Sequence, residues 1–175
     1  MCMALLVVPS ACTILTGGRF SAGPSIDTDG DIGLSIGLNL SWGMSGDRGT
    51  PMVDDKAIME TVTMGTTLSE GHSSMNTSVA FEYARVPLRL GLGVGLRFPF
   101  PDSDTPDEED DVKIGDILTA EFYSARLWVL SEKRRRLTTG GVELRCGYFF
   151  LGGRAICSLS PSIGVAGYRR YNLPH

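Results

Sequence analysis

The sequence predicts an all-β protein, an antiparallel up-and-down transmembrane β-barrel of about eight strands, and two observations carry that expectation. Between Ile32 and Met44 every even residue is apolar (Ile32, Leu34, Ile36, Leu38, Leu40, Trp42, Met44) and every odd one is Gly, Ser or Asn. A period of two is that of a β-strand. The second observation is that the polar face is tiny rather than charged, unlike the water-facing side of a soluble sheet. The apolar face is therefore expected to meet lipid and the small face a barrel lumen. The segment also exceeds the roughly 9 to 11 residues that a tilted transmembrane strand needs.

The chain has 175 residues, 22 of them Gly, with 42% hydrophobic and 21% charged residues, a composition that is neither disordered nor collagenous. The formal charge of −4 gives no reason to expect nucleic acid, whose binders need Lys and Arg clustered along a face, so no nucleic-acid partner is expected. No segment approaches the roughly 18 to 20 continuous apolar residues of a membrane-spanning helix.

Residues 1–15 read as a signal-like or lipoprotein-like segment, and residues 16–175 as a single barrel domain. The N-terminus has a short apolar core followed by small residues, as in a secretory signal, with Arg19 the first basic residue. Its Ser10-Ala11-Cys12 ending resembles a bacterial lipoprotein cleavage box, which makes Cys12 the lipidation candidate.

Arg19 to Ile26 is the first strand. A three-residue loop of Thr28, Asp29 and Gly30 would set Phe20, Ala22, Pro24 and Ile26 against Leu38, Ile36, Leu34 and Ile32, with Gly30 in the left-handed position. Asp27, Asp29 and Asp31 read as a polar turn. They also offer hard oxygen ligands of the kind calcium takes, without the distant Glu of an EF-hand, so no metal or other cofactor is assigned.

Residues 45–55, rich in Gly, Pro and Asp, are expected to form a loop, followed by a strand from Lys56 to Leu68 and a turn over Glu70 to Asn76. Thr77 to Phe98 reads as the longest extended segment, with Pro87 at a bulge, an edge or a bend. Residues 99–116 carry the acidic run Asp102, Asp104, Asp107, Glu108, Glu109, Asp110 and Asp111, expected in a solvated loop. Ile117 to Leu130, Leu137 to Leu151 and Arg154 to Arg169 complete the strands. The basic run Lys133-Arg134-Arg135-Arg136 reads as a turn at a membrane surface, ahead of a contact with lipid A or an acidic partner and of a nucleic-acid patch.

Seven extended segments are visible, whereas single-chain bacterial barrels have an even number. Either Ala4 to Leu15 supplies an eighth strand, or Thr77 to Phe98 is two strands, or the set is incomplete; eight is the expected number. An eight-stranded barrel fills its interior with side chains and leaves no wide pore.

Cys146 and Cys157 flank the turn signal Leu151-Gly152-Gly153. A hairpin that sets them opposite each other puts Val142, Leu144, Tyr148, Leu159, Ile163 and Val165 on the same face, so the register is self-consistent and Cys146–Cys157 is a disulfide candidate. Two free thiols remain the alternative.

The same alternation turns Arg19, Asn39, Arg89, Arg97, Glu121, Glu143 and Arg145 inward. Buried charges are costly unless paired, so these residues are expected to form a network that plugs the lumen. Trp42, Trp128, Tyr148, Tyr168 and Tyr171 lie near strand ends, as members of interfacial aromatic girdles would.

The stretch Glu82-Tyr83-Ala84-Arg85-Val86-Pro87-Leu88 resembles the aromatic-x-x-apolar-Pro-Leu strand of small bacterial outer-membrane barrels of the OmpA/OmpX type. That resemblance implies a bacterial outer-membrane location, lipid as the surrounding partner, and a structural or adhesive role. Loops 45–55 and 99–116 would contact a cell-surface protein, and no catalytic residue is assigned. Two other classes stand beside it. A soluble or periplasmic lipocalin-like barrel binding an apolar ligand would put Leu34, Ile36 and Leu38 inward. A lipid hydrolase is suggested by His72 and Ser74 with Glu82, because His-x-Ser resembles the motif of lipid A 3-O-deacylases, where His serves as base for Ser. His72 beside Gly71, Ser73 and Asn76 equally reads as a turn residue. The chain has no Gly-x-Ser-x-Gly elbow, phosphate loop or zinc-spaced Cys/His cluster.

Overall fold

The structure is a computed structural model that describes residues 11–46, 49–69, 73–100, 118–150 and 153–172. Eight strands follow in order: β1 (Ala11–Asp27), β2 (Ile32–Ser45), β3 (Ala57–Ser69), β4 (Ser74–Arg85), β5 (Leu88–Pro99), β6 (Leu118–Lys133), β7 (Arg136–Phe149) and β8 (Ala155–Asn172). Each pairs antiparallel with the next, and β1 pairs with β8 to close the barrel. Closure gives every strand two neighbours and leaves no backbone edge to face lipid.

The β1–β2 hairpin has the register its apolar pattern sets, with Phe20 opposite Leu38 and Ile26 opposite Ile32. Gly30 takes φ +93° in the loop, and the Asp27 carboxylate accepts hydrogen bonds from the Asp29 and Asp31 amides, each 2.9 Å. Asp29 pairs with Arg154 at 3.0 Å. These contacts give the Asp cluster a turn-forming role.

The eighth strand comes from division of Thr77 to Phe98, not from Ala4 to Leu15. Val86 and Pro87 form a two-residue turn with a cis peptide bond, and β4 folds back onto β5 with Arg85 opposite Leu88. Pro87 lacks a ladder donor and fits a turn better than a strand interior. Residues 11–15 instead lengthen β1, so the barrel begins before the expected boundary at residue 16. Residues 1–10, with most of the signal-like segment, lie outside the described residues, as does the acidic run of residues 102–111.

Apolar side chains cover the outer wall. Phe81 and Leu92 are 69% and 67% exposed, and Leu34, Leu38, Met64, Val94 and Ile163 project in the same way. In lipid such a surface is solvated by acyl chains, whereas in water it would be a very large exposed patch. The chain therefore forms an eight-stranded barrel of the transmembrane type. The outward Leu34 and Leu38 also remove the arrangement that a lipocalin-like pocket requires.

The barrel has two unlike rims. The proximal rim holds Ala11 and Asn172, residues 49–56 and the turns at 86–87 and 134–135; the distal rim holds the 28–31 loop and the ends of β3, β5 and β7. Residues 49–56 thus lie at the rim opposite the ends of β5 and β6 that flank residues 101–117, which are outside the described residues. Pro51 and Met52 are buried, and the Val86 amide donates to the Met52 carbonyl at 2.6 Å. This segment folds into the proximal mouth and packs with Leu15, Met59, Leu127 and Leu137. The apolar side chains of Pro51 and Met52 leave water there.

Candidate functional site

The lumen is the site that the fold builds. Small inward residues on β1, β2 and β8 leave room for long side chains from the facing strands, and a layer of charge fills the middle of the barrel. Arg19, Asn39, Arg89, Glu121 and Glu143 are buried; Arg97 and Arg145 are half-buried. Arg19 Nη2 lies 3.0 Å from Glu143 Oε2, and Arg145 Nη2 lies 3.2 Å from Glu143 Oε1. One carboxylate thus serves two guanidinium groups, each on a different strand.

Asn39 Oδ1 accepts from Thr63 Oγ1 at 2.6 Å and from Arg145 Nη2 at 2.7 Å. Arg89 Nη2 donates to Ser41 Oγ at 3.1 Å, and Thr61 Oγ1 donates to the same oxygen at 2.9 Å. Nearer the distal rim, Ser78 Oγ donates to Glu121 Oε2 at 2.6 Å, Arg97 Nε donates to Ser74 Oγ, and the Arg97 guanidinium lies 5.0 Å from the Phe149 ring centroid.

Two members of this layer were not singled out from the sequence as lumen residues. Glu82 is buried and pairs with Arg89 through both a salt bridge and a hydrogen bond. Tyr123, 1% exposed, is the hub: Arg19, Arg89 and Arg145 stand 5.5, 5.9 and 5.7 Å from its ring centroid. A ring face stabilises cations through its quadrupole, and does so more strongly away from water. Gly91 makes the space, since a β-carbon there would overlap the Tyr123 ring. Period-two alternation, anchored on the apolar Phe122 between Glu121 and Tyr123, would have turned Tyr123 inward. The parity of Glu82 emerges only once Thr77 to Phe98 is divided at Val86–Pro87.

Two of the three hydrolase candidates lie among the described residues. Ser74 and Glu82 both face the lumen, but they stand eight positions apart on β4, about 26 Å along the strand at roughly 3.3 Å per residue. His72 lies outside the described residues. Among the described residues no group of three or more His, Cys, Asp or Glu gathers as a metal site.

Above the charged layer, a cavity of about 40 Å³ is lined by Ser35, Thr67, Asn76, Arg97 and Glu121 among others. Below it, one of about 30 Å³ separates Arg19 and Arg89 from the apolar plug of Leu15, Met52 and Met59. Spaces of this size admit a few water molecules and no larger solute.

On the outer wall, Cys146 and Cys157 are joined in a disulfide, directly opposite each other in the β7–β8 ladder. Cys12 is a half-buried free thiol near the start of β1, opposite Tyr171. Trp42, Trp128 and Tyr171 project outward near the proximal rim and Tyr148 near the distal rim. Tyr168 departs from the girdle expectation: it packs against the inner apolar plug and donates to Glu132 Oε1 at 2.8 Å. Its position on β8 has the inward parity.

No family model and no curated protein matches the chain. Solved structures similar to it include an outer-membrane enzyme and a designed barrel. The crystal structure of the outer membrane enzyme PagL aligns with a TM-score of 0.49 and 16% identity, over 83% of this chain and 97% of that one. A de novo designed transmembrane β-barrel aligns with a TM-score of 0.31 and 11% identity, over 93% of this chain and 98% of that one.

Proposed function

We propose that the protein is a bacterial outer-membrane barrel with a structural or adhesive role, neither a conducting pore nor an enzyme. The observation that carries this reading is the lumen, occupied across its width by the Arg19–Glu143–Arg145 and Arg89–Glu82 pairs around Tyr123 and sealed proximally by Leu15, Met52, Met59, Leu127 and Leu137. Such an interior resists deformation and leaves no route for solute. The distal rim is then the contact face, with residues 99–116 as its acidic element in sequence; segment 45–55, folded into the opposite mouth, has no part in it.

Two measurements test the reading. Reconstituted in a planar bilayer, the protein produces no stepwise conductance; open-channel steps in the wild type would remove the sealed-lumen account. Cells displaying the barrel bind a host or neighbouring cell surface less once Asp102, Asp104, Asp107, Glu108, Glu109, Asp110 and Asp111 are changed to Asn and Gln. Unaltered adhesion would remove the adhesive role and leave the structural one.

A further inference from the structure

The proximal rim carries a cluster of cations that the lumen does not use. Arg134, Arg135, Arg136 and Arg169 are exposed, and among the described residues no acidic side chain lies within ion-pair distance of any of them. The nearby acid, Glu132, turns to the mouth, where it accepts from Thr50 Oγ1 at 2.7 Å and Tyr168 Oη at 2.8 Å. Arg170 is likewise engaged, donating to the Gly49 carbonyl.

The turn that presents the cluster is held in place. Arg134 and Arg135 have φ of 49° and 64°, the pair of left-handed positions of a type I′ hairpin where Asn-Gly is the usual choice. Two arginines there contradict local preference and keep two guanidinium groups at the rim. The Tyr168 amide donates to the Arg135 carbonyl at 3.0 Å, which fastens this turn against β8 and sets Arg169 beside it.

Just inside the cluster the outer wall has a notch. Gly167 faces outward between Arg136 on β7 and Thr16 on β1, its ladder partners, with Arg169 next toward the rim and Val165 next toward the membrane interior. A β-carbon at Gly167 would meet only the Thr16 carbonyl, at 3.9 Å. The notch is therefore open space in the wall, with no neighbour packed into it. Strands are about 4.8 Å apart and successive outward residues about 6.7 Å, so a group over Gly167 has Arg136, Arg169 and the Thr16 hydroxyl all within side-chain reach. Tyr171, 5.6 Å below the Arg169 guanidinium, closes the rim side at the level where aromatic side chains meet headgroups.

We propose that this notch binds the phosphate headgroup of an anionic glycerophospholipid. Arg136 and Arg169 grip the phosphodiester, Thr16 donates to it, Gly167 makes room for the glycerol, and the acyl chains run up the wall past Val165 and Ile163. The chemistry is that of guanidinium–phosphate recognition at a membrane surface. It rests on the membrane placement of the barrel, which is tested separately.

The test uses the full chain in detergent micelles to which phosphatidylglycerol or phosphatidylcholine is added, with bound lipid read by native mass spectrometry. The wild type retains phosphatidylglycerol preferentially; Arg136→Gln with Arg169→Gln lowers that retention by roughly thirtyfold. Gly167→Val fills the notch without touching the lumen and lowers it as well. Equal retention of both lipids, retention unchanged in both variants, or displacement of the lipid by inorganic phosphate alone would overturn the site. A mobility shift on boiling in SDS, measured on the same samples, reports barrel insertion: a heat-modifiable barrel without selective retention removes the lipid site only, and its absence removes the placement beneath it.

Discussion

Arg19 on β1 and Glu143 on β7 pair at 3.0 Å although β8 runs between their strands. They meet because β8 turns Ser160, Ser162 and Gly164 inward beneath them, opposite Glu143, Gly141 and Arg19 or Thr139 in the two ladders. The small residues of the inner face thus do a packing job: they are the floor over which longer charged side chains reach each other. Glu143→Gln removes the charge that two arginines share. Breaking one member of a buried pair costs about 3 to 5 kcal/mol, so the unfolding midpoint in urea should fall sharply. Arg19→Met with Glu143→Gln should recover part of the loss, as a double-mutant cycle would show.

Tyr123 supplies a ring for three arginines, while its hydroxyl has no hydrogen-bond partner among the described residues. Tyr123→Phe keeps the ring and removes a buried unsatisfied group, so its stability should equal or exceed that of the wild type. Tyr123→Ala should cost about 3 to 5 kcal/mol. Equal losses in the two variants, measured by chemical unfolding in lipid vesicles, would assign the importance to the hydroxyl instead.

Gly91 faces the same ring. Gly91→Leu forces the ring aside and should destabilise by about 1 to 3 kcal/mol. Gly167→Val, on the outer wall, should leave stability nearly unchanged because its β-carbon enters open space. Thermal unfolding of the two variants side by side checks the contrast.

Cys146 and Cys157 close a hairpin of sequence separation 11. Peptide mapping without reductant should recover them as one cross-linked fragment. For a loop of that length the chain-entropy treatment gives about 2 to 3 kcal/mol, so Cys146→Ala with Cys157→Ala should be less stable by no more than that. Two separately alkylated thiols in protein from the membrane would contradict the bridge.

Most of the barrel was legible in the sequence because lipid outside and side chains inside impose a two-residue period that survives without any alignment. Ile32 to Met44 is the plainest case, and the Cys146–Cys157 register followed from the same period. The division of Thr77 to Phe98, one of the expected sources of the eighth strand, has its place at Val86–Pro87 written in the sequence as a change of parity: Val79, Phe81 and Tyr83 are odd, whereas Leu88, Leu90 and Leu92 are even, and both sets face out. A single strand cannot do that, so a turn had to intervene. Correcting the parity turns Glu82 inward, next to Arg89. The pairing partners, the role of Tyr123 and the folding of Pro51 and Met52 into the mouth depend on which strands face each other across the lumen. Local periodicity carries no such information.

The central claim is that the apolar wall faces acyl chains and the charged layer lies within. It is tested most directly by a single tryptophan at Phe81, with Trp42 and Trp128 changed to Phe, in vesicles containing lipids brominated on their acyl chains. The account predicts strong quenching of Phe81→Trp by the bromolipid and little by aqueous acrylamide. Acrylamide quenching with no response to bromolipid would contradict it, because position 81 would then face water.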